Sequence, residues 1–171
     1  MKFLSAQQYP RSLHLRPSRA RQSDLSNRRR LHVAAVCYRL NGGELEFLLV
    51  RTRSGLWTFP KGGVDHDPTT ADAAAREAYE EAGVKGRVEN VPFASYRHCK
   101  AGRLRSRREV VVVHAHLCEV KRLVSPPEQY RDPTWFNASK AKRRLQKYRT
   151  SKFAEEVTSV IDRASDRILR R

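Results

Sequence analysis

The sequence predicts a mixed α/β layered domain, and three observations carry that expectation. Short apolar runs suited to buried strands recur from residue 31 onward, turn residues punctuate them, and amphipathic helical patterns are interleaved between them. The 171 residues suffice for one domain with a sizeable core and are too few for two comfortable ones. Three regions are expected: a flexible basic arm over residues 1–30, the main folded domain over residues 31–150, and a basic amphipathic helix over residues 151–171 that packs on the domain.

The arm holds Pro10, Pro17, scattered Arg and Ser, and no hydrophobic periodicity. Its Arg-rich, acid-poor character is similar to an organellar transit peptide, although the two prolines oppose an amphipathic helix there. From residue 31 the texture changes. Residues 31–38 (LHVAAVCY) form an apolar run suited to a strand, Asn41-Gly42-Gly43 supplies a tight turn, and residues 45–50 (LEFLLV) read as the hairpin partner. Trp57 and Phe59 lead into a glycine loop at Lys61-Gly62-Gly63 and are expected to support it from the core.

Asp67-Pro68-Thr69 marks a helix start, with Asp or Thr as the cap and a proline near the first turn. Ala71, Ala74, Ala75, Ala78 and Ala82 favour the helix and permit close packing on a sheet, and Gly83 stands where a C-terminal cap belongs. Arg76 can pair with Glu80 one turn later or Asp72 one turn earlier. Strands are expected next over residues 91–97 and 109–120. In the second, four consecutive valines indicate burial on both faces. Residues 100–108 (KAGRLRSRR) read as a basic loop. His114 and His116 share a strand face and are read as packed histidines, since no third nitrogen or sulfur ligand accompanies them. A short strand over 133–136 and a helix over 138–146 precede a closing helix carrying Phe153, Val157, Val160, Ile161, Ala164 and Ile168 at helical spacing.

The formal net charge of +17 implies an anionic partner. Residues 1–30 and residues 138–171 each contribute +7 of it, so both basic termini are expected to contact RNA or another polyanion. Residues 64–89 run the other way, with seven acids against Arg76, Lys85 and Arg87. An acidic centre inside a basic shell fits a metal site that receives a phosphate-rich ligand. The cysteines, Cys37, Cys99 and Cys118, form no CxxC pair. Their odd number argues against a disulfide framework and a zinc site, and a reducing, cytoplasmic location is expected. No apolar run approaches the ~20 residues of a membrane span.

The acidic centre is the chemically specific feature. Glu77, Glu80 and Glu81 lie three and four residues apart, so a helix presents all three carboxylates on one face. At ~6 Å separation and an effective dielectric of ~20, each like-charged pair costs roughly 3 kcal/mol. A cation relieves that repulsion, and oxygen-only ligands suit Mg²⁺ or Mn²⁺.

These residues resemble a known family, the Nudix hydrolases, whose signature is G-x5-E-x7-R-E-U-x-E-E-x-G-U, with U a bulky aliphatic. Gly62 matches its first position, Arg76-Glu77 the RE, Glu80-Glu81 the EE and Gly83-Val84 the ending, all in register. Two positions depart: Pro68 stands where the signature has Glu, and Ala78 where it has a larger aliphatic. Asp65 or Asp67 is expected to substitute for the missing carboxylate. The resemblance covers about residues 30–149 and implies an α/β/α sandwich with a mixed β-sheet and a loop-helix catalytic motif. It further implies hydrolysis of phosphoanhydrides, with Glu77 and Glu81 binding Mg²⁺, Glu80 acting as general base or further ligand, and Arg76 orienting a glutamate. Loop carbonyls at Lys61-Gly62 would complete the metal shell, and Glu109 is a more distant acid.

The segment Trp57-Thr58-Phe59-Pro60-Lys61-Gly62-Gly63 is similar to the subgroup acting on diadenosine polyphosphates and diphosphoinositol polyphosphates. Several cations suit such ligands, and the substrate-binding set is Arg51, Arg53, Lys61, Gly62, Gly63, Arg107 and Arg108, with Arg29, Arg30 and Lys147 as outlying additions. Two other readings stand beside a hydrolase of polyphosphorylated small molecules. One is removal of pyrophosphate from RNA 5′ ends, and the other is a nucleotide- or RNA-binding module with little turnover. Oligomeric state has no signal in the sequence.

Overall fold

The computed structural model describes residues 31–101 and 108–170. The expected arm over residues 1–30, most of the basic loop, Arg107 and the side chain of Arg108 lie outside the described residues. One sheet organises the rest. Its strands are β1 (His32–Asn41), β2 (Glu44–Arg51), β3 (Trp57–Thr58), β4 (Lys61–Gly63), β5 (Val84–Val88), β6 (Ala94–Ala101), β7 (Arg108–Leu123) and β8 (Thr134–Asn137). The main order is β3-β2-β1-β7-β5, with β4 paired to β1, β6 to β7 and β8 to β2. Strands β1 and β7 run parallel while β1 and β2 form an antiparallel hairpin, so the sheet is mixed.

Helix α1 (Thr70–Ala82) covers one face of the sheet; α2 (Ala138–Gln146) and α3 (Ser151–Leu169) cover the other. The side-chain alternation of β1 serves both layers. Val33, Ala35 and Cys37 join Ala73, Ala74, Ala78 and Ala82 of α1 in one core. Ala34, Val36 and Tyr38 join Leu145 of α2 and Val157, Val160, Ile161 and Ala164 of α3 in the other. This explains why β1 reads as a continuous apolar run. Small alanines on α1 let its backbone approach the sheet, and the larger aliphatics of α3 fill the opposite layer. Trp57 and Phe59 are buried in that second core, as expected of supports for the glycine loop.

Several boundaries differ from the sequence reading. The strand expected over 91–97 starts at Ala94, and β5 was not anticipated. Burial of the four valines on both faces is corrected: Val111 and Val113 are buried, but Val110 and Val112 are 53% and 50% exposed. The α1 layer covers that face of β7 only farther along, around Cys118, so the start of the strand has one solvent-facing side. His116 is fully buried, its Nδ1 donating to the carbonyl of Glu89 at 2.8 Å, and Cys37 and Cys118 are buried side by side in β1 and β7. No helix among the described residues is long and apolar enough to cross a membrane.

Candidate active site

Local chemistry fixes both ends of α1. Thr69 is the N-cap: its hydroxyl accepts from the Asp72 amide at 3.1 Å and donates to the Asp72 carboxylate at 2.7 Å. Pro68 therefore precedes the cap, and Asp72 is turned toward Thr69 and away from Arg76. At the other end Gly83 adopts φ 65°, and its N–H closes on the Tyr79 carbonyl at 2.9 Å. A Cβ there would collide with the Val124 carbonyl, so glycine is required both by conformation and by space.

The helix so fixed sets Glu77 and Glu81 against β4. Both are nearly buried, at 8% and 3% exposure. The Lys61 amide donates to Glu81 Oε2 at 3.1 Å. The Glu77 carboxylate lies over Gly62 so closely that any Cβ at that position would overlap it. Gly62 is thus the space into which Glu77 fits. Glu80, one position round the helix, keeps 41% of its side chain exposed. The expected three-carboxylate patch therefore divides into a buried pair and one solvent-facing member.

Two arginines organise these acids. Arg76 Nη1 donates to Glu77 Oε1 at 2.8 Å and to Glu80 Oε2 at 3.1 Å, while Nη2 reaches the Gly63 carbonyl at 2.9 Å. Its Nε and Nη2 also engage Asp67, both at 3.1 Å. Of the two acids offered as substitutes for the signature glutamate, Asp67 is the one that pairs with Arg76. Arg131, from the short 3₁₀ turn Gln129–Arg131, pairs with Glu81 Oε1 and with Glu128 at 2.6 Å. The Glu128 amide in turn donates to the Glu80 carbonyl at 3.0 Å, which ties this turn to the end of α1.

Burial dominates the electrostatics. It pushes the Glu81 carboxyl up to about 7 despite Arg131 and Lys61, and raises Glu77 above the usual range despite Arg76. The Lys61 amine is lowered because burial outweighs the attraction of Glu81. Asp67 is held below the usual carboxylate range by its hydrogen bonds from Arg76. Deeper in the same region lie two groups that no sequence pattern marks. The Arg149 guanidinium donates to the Leu145 carbonyl and, at 3.0 Å, to the Trp57 carbonyl. The Tyr96 hydroxyl is buried with no hydrogen-bond partner among the described residues.

Among the described residues no three carboxylate, imidazole or thiol groups converge as a ready metal cage, and arginine hydrogen bonds occupy carboxylate oxygens. The donor chemistry nonetheless fits a hard divalent ion. Glu77 and Glu81 supply oxygens one turn apart, and burial raises both carboxyls above the usual range, so a bound cation would favour their charged forms. Of the expected substrate-binding set, Lys61, Gly62 and Gly63 lie at the site. Arg51 lies over the Trp57 ring and 3.4 Å from Asp132, and Arg53 lies over Tyr130. Glu109 is exposed in β7, paired in register with Lys100.

A mixed sheet between helical layers, with a glycine strand facing a helix of buried carboxylates, defines a class of α/β proteins built around an acidic oxygen-donor site. The NUDIX domain pattern matches residues 30–157, and the chain belongs to the Nudix family. It is 41% identical over 78 residues to Nudix hydrolase 18, mitochondrial, of Arabidopsis thaliana, covering 40% of this chain and 44% of that protein. It is 37% identical over 78 residues to diphosphoinositol polyphosphate phosphohydrolase 2 of Rattus norvegicus, covering 44% and 42% respectively. The chain thus spans less than half the length of these curated relatives. The fold is shared with a C. elegans Ap4A hydrolase solved as a binary complex, with a TM-score of 0.60, 20% identity, and coverage of 82% of this chain and 98% of that one.

Proposed function

We propose that this protein is a metal-dependent hydrolase of phosphoanhydride bonds in polyphosphorylated small molecules such as diadenosine polyphosphates or diphosphoinositol polyphosphates. One observation carries the reading: two buried carboxylates, Glu77 and Glu81, face a glycine strand within a surround of Lys61, Arg131 and Arg149. Glu77 and Glu81 would hold Mg²⁺ or Mn²⁺, which would supply neutralisation of phosphate oxygens and acidification of a bound water. Arg76 orients Glu77 and Glu80 by sharing one nitrogen between them. Glu80, the solvent-facing member, takes the proton of the attacking water. Lys61, Arg131 and Arg149 meet the phosphate chain, and Arg51 and Arg53 meet its outer charges.

The test is phosphate release with Mg²⁺ from diadenosine polyphosphates, diphosphoinositol phosphates, ADP-ribose, nucleoside triphosphates and 5′-triphosphorylated RNA. Fastest turnover is expected on one of the first two. Fastest turnover on RNA would transfer the reading to 5′-end processing. Release from none of them would overturn the hydrolase assignment.

A further inference from the structure

Helix α2 carries a feature that the carboxylate site does not use. Lys140, Arg143, Arg144 and Lys147 follow one another at intervals of three, one and three, so they form one stripe from the first turn of α2 to the residue just past its end. The stripe is about 10 Å long at 1.5 Å per residue. Ala141 and Leu145, on the opposite face, are buried in the core. Among the described residues none of the four cations forms an ion pair, whereas neighbouring Lys142 pairs with Asp162 at 2.7 Å. The helix dipole favours Arg143 and Arg144 in the last turn. It gives no such reason for Lys140, which sits in the first turn where a cation is disfavoured.

Two adjoining hollows, of about 330 Å³ and about 290 Å³, share Arg144 and Lys147 as walls, and the second is also lined by Arg51 and Trp57. Aromatic rings alternate with these charges. Arg144 lies 5.8 Å over Phe136, and Lys147 lies 4.9 Å over Tyr148. Tyr148 is 79% exposed on a backbone at φ 62°, a conformation that non-glycine residues seldom adopt. An acidic peptide or an anionic lipid surface is served by the charges alone. Cations interleaved with an exposed ring are the elements that hold a phosphate backbone while a base stacks.

We propose that the α2 stripe with Tyr148 is a binding surface for single-stranded nucleic acid that borders the outer edge of the Glu77–Glu81 site at Arg51. Backbone phosphates lie along Lys140, Arg143, Arg144 and Lys147, and a base stacks on Tyr148. The surface does not depend on the hydrolase reading, because the ligand needs neither a phosphoanhydride nor a divalent ion.

The test is fluorescence anisotropy of the full chain with a labelled oligouridylate bearing a 5′-hydroxyl, in EDTA, over a series of salt concentrations. Arg144→Ala with Lys147→Ala is expected to weaken binding at least tenfold and to reduce the slope of log Kd against log salt by about 1.4, near 0.7 per cation removed. Tyr148→Ala is expected to weaken binding about fivefold or more with the slope unchanged. A charge-matched pair on the other side of the molecule, Lys85→Ala with Arg122→Ala, should change affinity less than threefold. Equal losses in the two double variants would reduce the effect to overall charge and overturn the proposal. Unchanged affinity in the Tyr148 variant, or equal binding of an abasic strand, would overturn it as well.

Discussion

Asp67 and Arg76 are joined by a two-pronged ion pair, Nε to Oδ1 and Nη2 to Oδ2, each at 3.1 Å. The pair links the loop before α1 to the guanidinium that also holds Glu77 and Glu80. A carboxylate one residue before the Nudix signature position thus reaches the arginine that the signature glutamate's absence at Pro68 would leave short of a partner.

Asp67→Asn should remove the charge from this pair while keeping its shape. A loss of about 2 kcal/mol is expected, the scale of a hydrogen bond between charged groups, together with at least a tenfold fall in turnover as Arg76 loses its anchor. Asp67→Asn combined with Pro68→Glu should recover part of the turnover. Chemical denaturation and steady-state kinetics on the two variants check both statements, and normal turnover in Asp67→Asn would remove Asp67 from the positioning machinery.

Glu80→Gln separates chemistry from structure. Its carboxylate is 41% exposed, so the fold should survive with a melting temperature close to that of the parent. Turnover should fall about a hundredfold if it acts as the base. Equal rates in variant and parent would refute that role. Chelation by EDTA should abolish turnover in the parent, and Mg²⁺ or Mn²⁺ should restore it.

Gly62→Ala probes the fit between strand and helix. The added methyl overlaps the Glu77 carboxylate, so Glu77 must swing away or β4 must move. Turnover should drop at least tenfold, in keeping with the cost of misplacing a catalytic group by about 1 Å. A crystal structure of the variant should show Glu77 displaced. Retention of full activity would mean that the present position of Glu77 is not needed for the reaction.

His116 predicts a pH-dependent stability. Burial, with His114 nearby, depresses its imidazole to about 4 from the usual 6.5. The unfolded chain therefore binds a proton that the folded chain refuses between those values, so the contribution is complete above pH 6.5 and is lost as pH falls toward 4. The stability attributable to this group should fall by about 2 kcal/mol between pH 7 and pH 5. Urea titrations at the two pH values should show this drop in the parent and much less of it in His116→Gln. Equal pH dependence in both would sink the assignment.

Local patterns made much of this molecule legible. The turn residues at 41–43, the caps Thr69 and Gly83, and the spacing of Arg76, Glu77, Glu80 and Glu81 are short-range features that single stretches declare. Strand β5 was hidden because Val84 is its one fully buried residue, so it lacks an apolar run, and its pairing with β7 is long-range. The half-exposed valines of β7 escaped notice because exposure there depends on where α1 ends its cover. Arg131, Tyr96 and Arg149 reach the site from distant segments. The tie between the 3₁₀ turn and the end of α1 brings in Arg131, the core on the α2–α3 side encloses Tyr96, and the α2–α3 connection carries Arg149. No spacing rule links them to the carboxylates.

The double burial of β1 has a consequence for how the protein finds its alignment. A strand with one wet face is held in register because slipping by one residue would drive polar side chains inward. Over Val33 to Cys37 every residue is fully buried, so hydrophobicity alone is indifferent to such a slip. Side-chain volumes and the turn at residues 42–43 must set the alignment instead. Because Val33 stands opposite Gly62, the alignment of β1 with β4 sets the backbone against which Glu77 settles. A change in the volume of a β1 core residue would therefore bear on the carboxylates without altering a single residue that touches them.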